Sequence, residues 1–249
     1  MKIEKILASA VCFSFLSACL FAQTQTVQKQ STSTKSETTV ENEYMSNVED
    51  VIITELSNSD SYDNKLVALQ YLESAINDGR SSPDMVASLD RLAGEGISTK
   101  SQTNGRVMNN FPDIRAKACD LLGQVKTEES KKVLVDVALN DNEPMVISSA
   151  IRGLGEIGIN DKDEVVNSIA WAQKRNAVLN PTSSLAFEVL VAYEKLADTV
   201  EDKNAMIQSV ASIAADTHFV TPVRTKALDL LHQLQSGGSS SNKSSSAEK

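Results

Sequence analysis

The run Arg115-Ala116-Lys117-Ala118-Cys119-Asp120-Leu121-Leu122-Gly123-Gln124 recurs as Arg224-Thr225-Lys226-Ala227-Leu228-Asp229-Leu230-Leu231-His232-Gln233, with seven of ten positions identical, 109 residues apart. Weaker copies lie between and before these two: Ala150 with Leu154, Val189 with Tyr193, and Ala68 with Leu72. The anchors at 118, 150, 189 and 227 are separated by 32, 39 and 38 residues, the period of stacked helix pairs. A single pair of short helices cannot bury both its faces, so each pair must lean on the next. A small anchor residue would let neighbouring backbones approach closely.

The rest of the pattern agrees. Apolar residues recur at helical spacing, strand-like alternation is absent, and turn clusters punctuate the chain at Ser57-Asn58-Ser59-Asp60, Asn77-Asp78-Gly79, Asn140-Asp141-Asn142, Asn160-Asp161 and Asn180-Pro181-Thr182. Helices are expected near 45–57, 63–77, 83–93, 112–125, 128–140, 144–157, 162–176, 182–197, 202–215 and 221–235. The expected fold is all-α, a right-handed α-solenoid of stacked antiparallel helix pairs over residues 44–235, led by an extra helix and continuing in four to five units from near residue 62. The segment 23–43 is rich in Gln, Ser, Thr and Lys, the tail 236–249 is rich in Ser with Gly and Lys, and both are poor in apolar residues, so both are expected to be disordered. Gly237-Gly238 offers the last helix a stop.

The run from Pro112 to Gly123, with Pro-Asp-Ile-Arg followed by Ala118, Leu122 and Gly123, its echo Pro222-Val223-Arg224, and Ile151-Arg152-Gly153-Leu154-Gly155-Glu156-Ile157-Gly158 resemble HEAT repeats. The nearest likeness is to the short bacterial repeats also found in phycobilisome lyases. The resemblance spans roughly residues 62–235 and specifies a fold far better than a function. The copy around Val189 lacks the arginine and the small anchor, and the first unit stands 50 residues from the second. That spacing points to a flexible insertion between Gly94 and Phe111.

At the amino end, Lys2 and Lys5 precede an apolar stretch from Ile6 to Phe21, the pattern of an export signal in residues 1–22. Leu16-Ser17-Ala18-Cys19 resembles a lipoprotein box, in which Cys19 would carry lipid, while Leu20-Phe21-Ala22 before Gln23 suits ordinary cleavage. The two cuts remain open alternatives. Either implies an exported protein, periplasmic or lipid-anchored, touching membrane only through Cys19.

Twenty-four basic against 33 acidic residues give a formal net charge of −9. Binding to nucleic acid needs clustered cations that this chain lacks, so no such partner is expected. Only His218 and His232 are present, without the spacing of metal ligands, and no metal or cofactor is expected. The acidic run Asp161-Lys162-Asp163-Glu164 lacks the glycine and terminal glutamate of a calcium loop and suits the start of a helix. Gly94-Glu95-Gly96-Ile97-Ser98-Thr99-Lys100-Ser101 approaches a phosphate-binding loop but follows a helix and lacks the second glycine.

Cys119 aligns with Leu69, Ile151, Leu190 and Leu228, which makes it a core thiol. Arg115 and Arg224 invite pairing with the turn aspartates Asp141 and Asp216, as the resemblance implies for this repeat arginine. Trp171 projects away from the apolar face of its helix, and Leu139 takes the corresponding place in the unit before. Together they form a candidate partner-binding stripe on the concave, second-helix surface, where a protein or extended peptide would dock. The resulting expectation is a non-enzymatic scaffold for protein-protein interaction in the bacterial envelope. Two other readings stand beside it: a lyase-like chaperone enzyme, as the phycobilisome-lyase likeness implies, and a purely structural envelope spacer.

Overall fold

The computed structural model describes residues 40–239, with side chains through Ser236. Contacts divide the chain after Asn42, so the stack belongs to the unit that starts at Glu43. The described residues form ten α-helices: α1 (Val40–Asn58), α2 (Tyr62–Asn77), α3 (Pro83–Ala93), α4 (Pro112–Val125), α5 (Glu128–Asn140), α6 (Pro144–Ile157), α7 (Glu164–Leu179), α8 (Ser183–Leu196), α9 (Asn204–Ala215) and α10 (Thr221–Ser239).

Local chemistry sets many of the boundaries. Pro83, Pro112 and Pro144 each occupy the first turn of a helix, where their missing N–H costs nothing. The hydroxyls of Ser82 and Thr127 accept from the backbone N–H of Met85 and Ser130, both at 3.2 Å, satisfying a donor that has no partner inside the helix. Gly158 ends α6 at φ +74°, a conformation glycine adopts without steric cost. Gly237 and Gly238 do not act in this way. Helix α10 runs through both to Ser239. At the other end α1 starts at Val40, five residues before the expected 45.

The helices fall into two rows. Helices α2, α4, α6, α8 and α10 pack in succession, and α3, α5, α7 and α9 pack in succession beside them. Links as short as Lys126-Thr127 between α4 and α5 force the two helices of a pair to run antiparallel. The arrangement is an all-α solenoid. Helix α1 lies beside α3, sharing with it a shallow groove that includes Thr54 and Ser57 of α1 and Ala87 and Arg91 of α3.

The core follows the repeat. Ala68, Ala118, Ala150, Val189 and Ala227 are all fully buried. Close backbone approaches lie further along these helices: a Cβ on Gly123 would stand 2.6 Å from the Cα of Gly153, and one on Gly155 would stand 2.9 Å from the Cα of Ala192. Gly123 and Gly153 thus let the backbones of α4 and α6 approach closely, and Gly155 does the same against Ala192 of α8. Outside this seam, ion pairs join the first row: Arg152 of α6 reaches Asp120 of α4 at 3.0 Å and Glu188 of α8 at 2.9 Å, and Lys226 of α10 reaches Glu194 of α8 at 2.6 Å.

The 94–111 insertion, expected to be flexible, is fixed at both ends. Glu95 is buried and pairs with the equally buried Lys65 of α2 at 2.9 Å. The Asn109 side-chain amide bonds Glu95 and, at 2.7 Å, the carbonyl of Thr99. Between these anchors β1 (Gln102–Thr103) and β2 (Arg106–Val107) form a small antiparallel hairpin. Its two-residue turn, Asn104-Gly105, has φ values of +52° and +76°, the signature of a tight primed turn.

Candidate functional site

Helix α7 is placed by the turn before it. The Asn160 side-chain carbonyl accepts from the N–H of Val166 at 3.2 Å, while Asp163 sits in the left-handed region and makes no cap bond to α7. Its carboxylate accepts instead from the N–H groups of Glu201 and Asp202, at 3.0 and 2.8 Å. Those bonds hold the Asp163 carboxyl below the usual carboxylate range and pin the approach to α9 against the start of α7. Asp161 and Glu164 face the buried ammonium of Lys131, at 3.6 and 3.4 Å. The acidic run expected to cap a helix thus mostly serves neighbouring elements.

The inner face of α7 comprises Val165, Val166, Ile169, Ala172, Gln173 and Asn176, all buried. Trp171 lies away from it and is 50% exposed. Its ring is braced by Arg175, whose guanidinium carbon stands 5.0 Å from the ring centroid, a contact worth about 0.5–1 kcal/mol at an exposed site. Arg175 is itself fixed by donating to the carbonyls of Leu139 and Asp141 at the end of α5. Leu139 and Trp171 are therefore linked through Arg175. Only Trp171 is well exposed, since the side chain of Leu139 is half-buried.

Asp141 joins this assembly to the repeat arginine. Arg115 is fully buried and donates from Nε to the Asp141 carboxylate at 2.7 Å, and from Nη1 to the Glu95 carbonyl at 3.1 Å and Asn110 at 2.8 Å. The corresponding pair at the other end does not form. Arg224 donates to the carbonyl of Ala214 at 3.2 Å, while Asp216 accepts from the backbone N–H of His218 at 2.9 Å and lies 2.7 Å from its Nδ1. Asp141 is enclosed between units, whereas Asp216 lies at a turn that no later unit covers among the described residues.

Trp171 forms one wall of a groove between α7 and α9, together with Ala170 and Lys174; Gln208, Ser209 and Ser212 line the opposite side. Ser209 Oγ is buried there, as is Tyr193 Oη of α8 behind it, and neither has a hydrogen-bond partner outside this pair. The two hydroxyls are close enough to interact, yet burial dominates and pushes the Tyr193 phenol up. Val178, 81% exposed, stands two turns beyond Trp171 on the same line of the helix. Sequence reasoning passed over Val178 and Ser209. The i, i+7 relation of Val178 to Trp171 was the available signal for the first, and none existed for the second.

Cys119 is fully buried, and burial drives its thiol pKa up, which keeps it protonated and unreactive. Leu69, Ile151 and Leu190 of the same column are buried, but Leu228 is 48% exposed because α10 is the last helix of its row. Among the described residues no group of three or more His, Cys, Asp or Glu is placed to hold a metal ion, and no helix is long and apolar enough to cross a membrane. Cys19 and the rest of the 1–22 segment lie outside the described residues.

No curated protein matches the chain. Residues 107–177, which take in α4 to α6 and most of α7, match the family model for HEAT repeats. Residues 107–177 are thus similar to HEAT repeats, and helix pairs stacked in two rows continue on either side of that segment.

Proposed function

We propose that this protein is an exported, non-enzymatic HEAT scaffold of the bacterial envelope that binds an extended segment of another protein in the α7–α9 groove. One observation carries the reading: Trp171 is half exposed and held in place by Arg175 on the wall of the α7–α9 groove. An apolar side chain of the partner would cover the indole. Tryptophan in such a setting is a favoured hot spot. The chemistry of the described residues supports binding over catalysis, because the thiol at Cys119 is sealed in the core and both histidines are exposed, His218 resting on the carboxylate of the turn residue Asp216.

Affinity purification from envelope extracts with the parent protein, Trp171→Ala and Leu139→Ala tests the surface. Trp171→Ala is expected to lose its partner while keeping its helical circular dichroism, and Leu139→Ala to have the smaller effect. An unchanged set of partners with a folded Trp171→Ala variant rules the groove out, and a parent protein without any specific partner favours a spacer. Mass spectrometry of the mature amino terminus tests export: a start at Gln23 or a lipidated Cys19 supports it, and a retained Met1 opposes it.

A further inference from the structure

Helix α1 presents an apolar stripe that the stack does not use. Tyr44, Met45, Val48, Val51 and Ile52 recur at i, i+1, i+4, i+7 and i+8 and are all exposed, from 37% at Val48 to 67% at Tyr44. The spacing puts them on one side of the helix, about 12 Å long at 1.5 Å per residue. The opposite side holds α1 to the protein: Ile53 and Ser57 are buried, Arg80 clamps Glu49 and Asp50, and Lys65 donates to the Ser57 carbonyl at 3.2 Å. The stripe therefore faces away from the stack at its amino-terminal end. The carboxy-terminal end is finished differently. The outer line of α10 reads Thr221, Thr225, Leu228, His232 and Gln235, all exposed and only one of them apolar, as suits a solenoid cap.

Charge selects the occupant. Every charged residue from Glu43 to Asn64 is acidic, and the bases that reach this helix, Arg80 and Lys65, are engaged on its buried side. A second copy of α1 would bring like charges together, and an anionic lipid surface would be repelled. An amphipathic helix with an apolar stripe bordered by Lys or Arg would gain on both counts. We propose that α1 is a docking helix for a basic amphipathic helix of a partner protein, which extends the stack by packing on Val48 and Val51. This surface is separate from the Trp171 groove.

The probe is a labelled 18-residue helical peptide with leucines at i, i+3, i+4 and i+7 and lysines on both borders, against a control with glutamates in place of the lysines. Fluorescence anisotropy with the purified full chain is expected to show at least tenfold tighter binding of the lysine peptide. Val48→Asp is expected to reduce that binding at least tenfold, Glu55→Lys to narrow the preference, and Trp171→Ala to leave both untouched, with helical circular dichroism unchanged throughout. Equal binding of the two peptides, or full binding by a folded Val48→Asp, overturns the proposal. A dimer in sedimentation equilibrium that Val48→Asp dissolves overturns it in favour of a second copy. Binding to phosphatidylcholine–phosphatidylglycerol vesicles that Val48→Asp abolishes overturns it in favour of lipid.

Discussion

Arg115 and Arg224 occupy the same place in two copies of one motif, and their surroundings give them different weight. Arg115 has no solvent access, and Asp141 has 2%. Its donors are spread over Asp141, Asn110 and the Glu95 carbonyl. Removing the guanidinium leaves a carboxylate buried without its counter-charge, which costs about 3–5 kcal/mol. Arg115→Ala is therefore expected to lower the urea midpoint strongly or prevent folding, and Arg115→Lys to recover only part of the loss because an ammonium cannot reproduce the planar fork. Arg224→Ala removes a single bond to the Ala214 carbonyl and should cost about 1 kcal/mol. Equal destabilisation by the two substitutions would contradict this assignment. The arginine and the turn aspartate were legible in the sequence at both ends. Whether a following unit encloses the pair was not, because that depends on where the stack stops.

At the scale of the element, the seam between α4 and α6 is decided by Gly123 and Gly153. A Cβ at Gly123 would lie 2.6 Å from the Cα of Gly153, a clash with backbone that no side-chain rotation relieves. Gly123→Ala should gain roughly 0.5–1 kcal/mol of helix propensity and lose more by pushing two helices apart, since overpacking costs about 1–3 kcal/mol and occasionally more. A net fall in Tm of several degrees is expected by calorimetry, given about 2–4 °C per kcal/mol for a chain of this size. A rise in Tm would show that the seam is looser than its geometry. The repeat itself was readable, and so were nearly all the helices, because their period and their Pro, Ser and Thr starts are local. The hairpin in the insertion was also readable from Asn104-Gly105, yet a two-residue strand is too short to show alternation. The depth of Leu139 and the buried Ser209–Tyr193 pair are tertiary facts that no spacing along one helix encodes.

Over the whole molecule, stability in a solenoid is approximately a sum of unit terms and nearest-neighbour terms, so position in the stack should order local opening. Helices α4 and α6 have neighbours on both sides and meet through backbone. Helix α10 is covered on one side only, through Val223, Ala227, Leu230 and Leu234, and α1 buries only Ile53 and Ser57. Amide hydrogen exchange is expected to be slowest in α4 and α6, faster in α10 and fastest in α1. Uniform protection would mean that the unit interfaces are strong enough to make the stack a single cooperative body. Gly123→Ala separates these cases. In a nearest-neighbour stack it weakens one central interface, so exchange should accelerate in α2 to α5 on one side and α6 to α10 on the other with different rates, whereas a fully cooperative body would accelerate everywhere by one common factor. The same measurement bears on α1: added lysine peptide should slow exchange in α1 most, because the peptide packs on that helix and nowhere else.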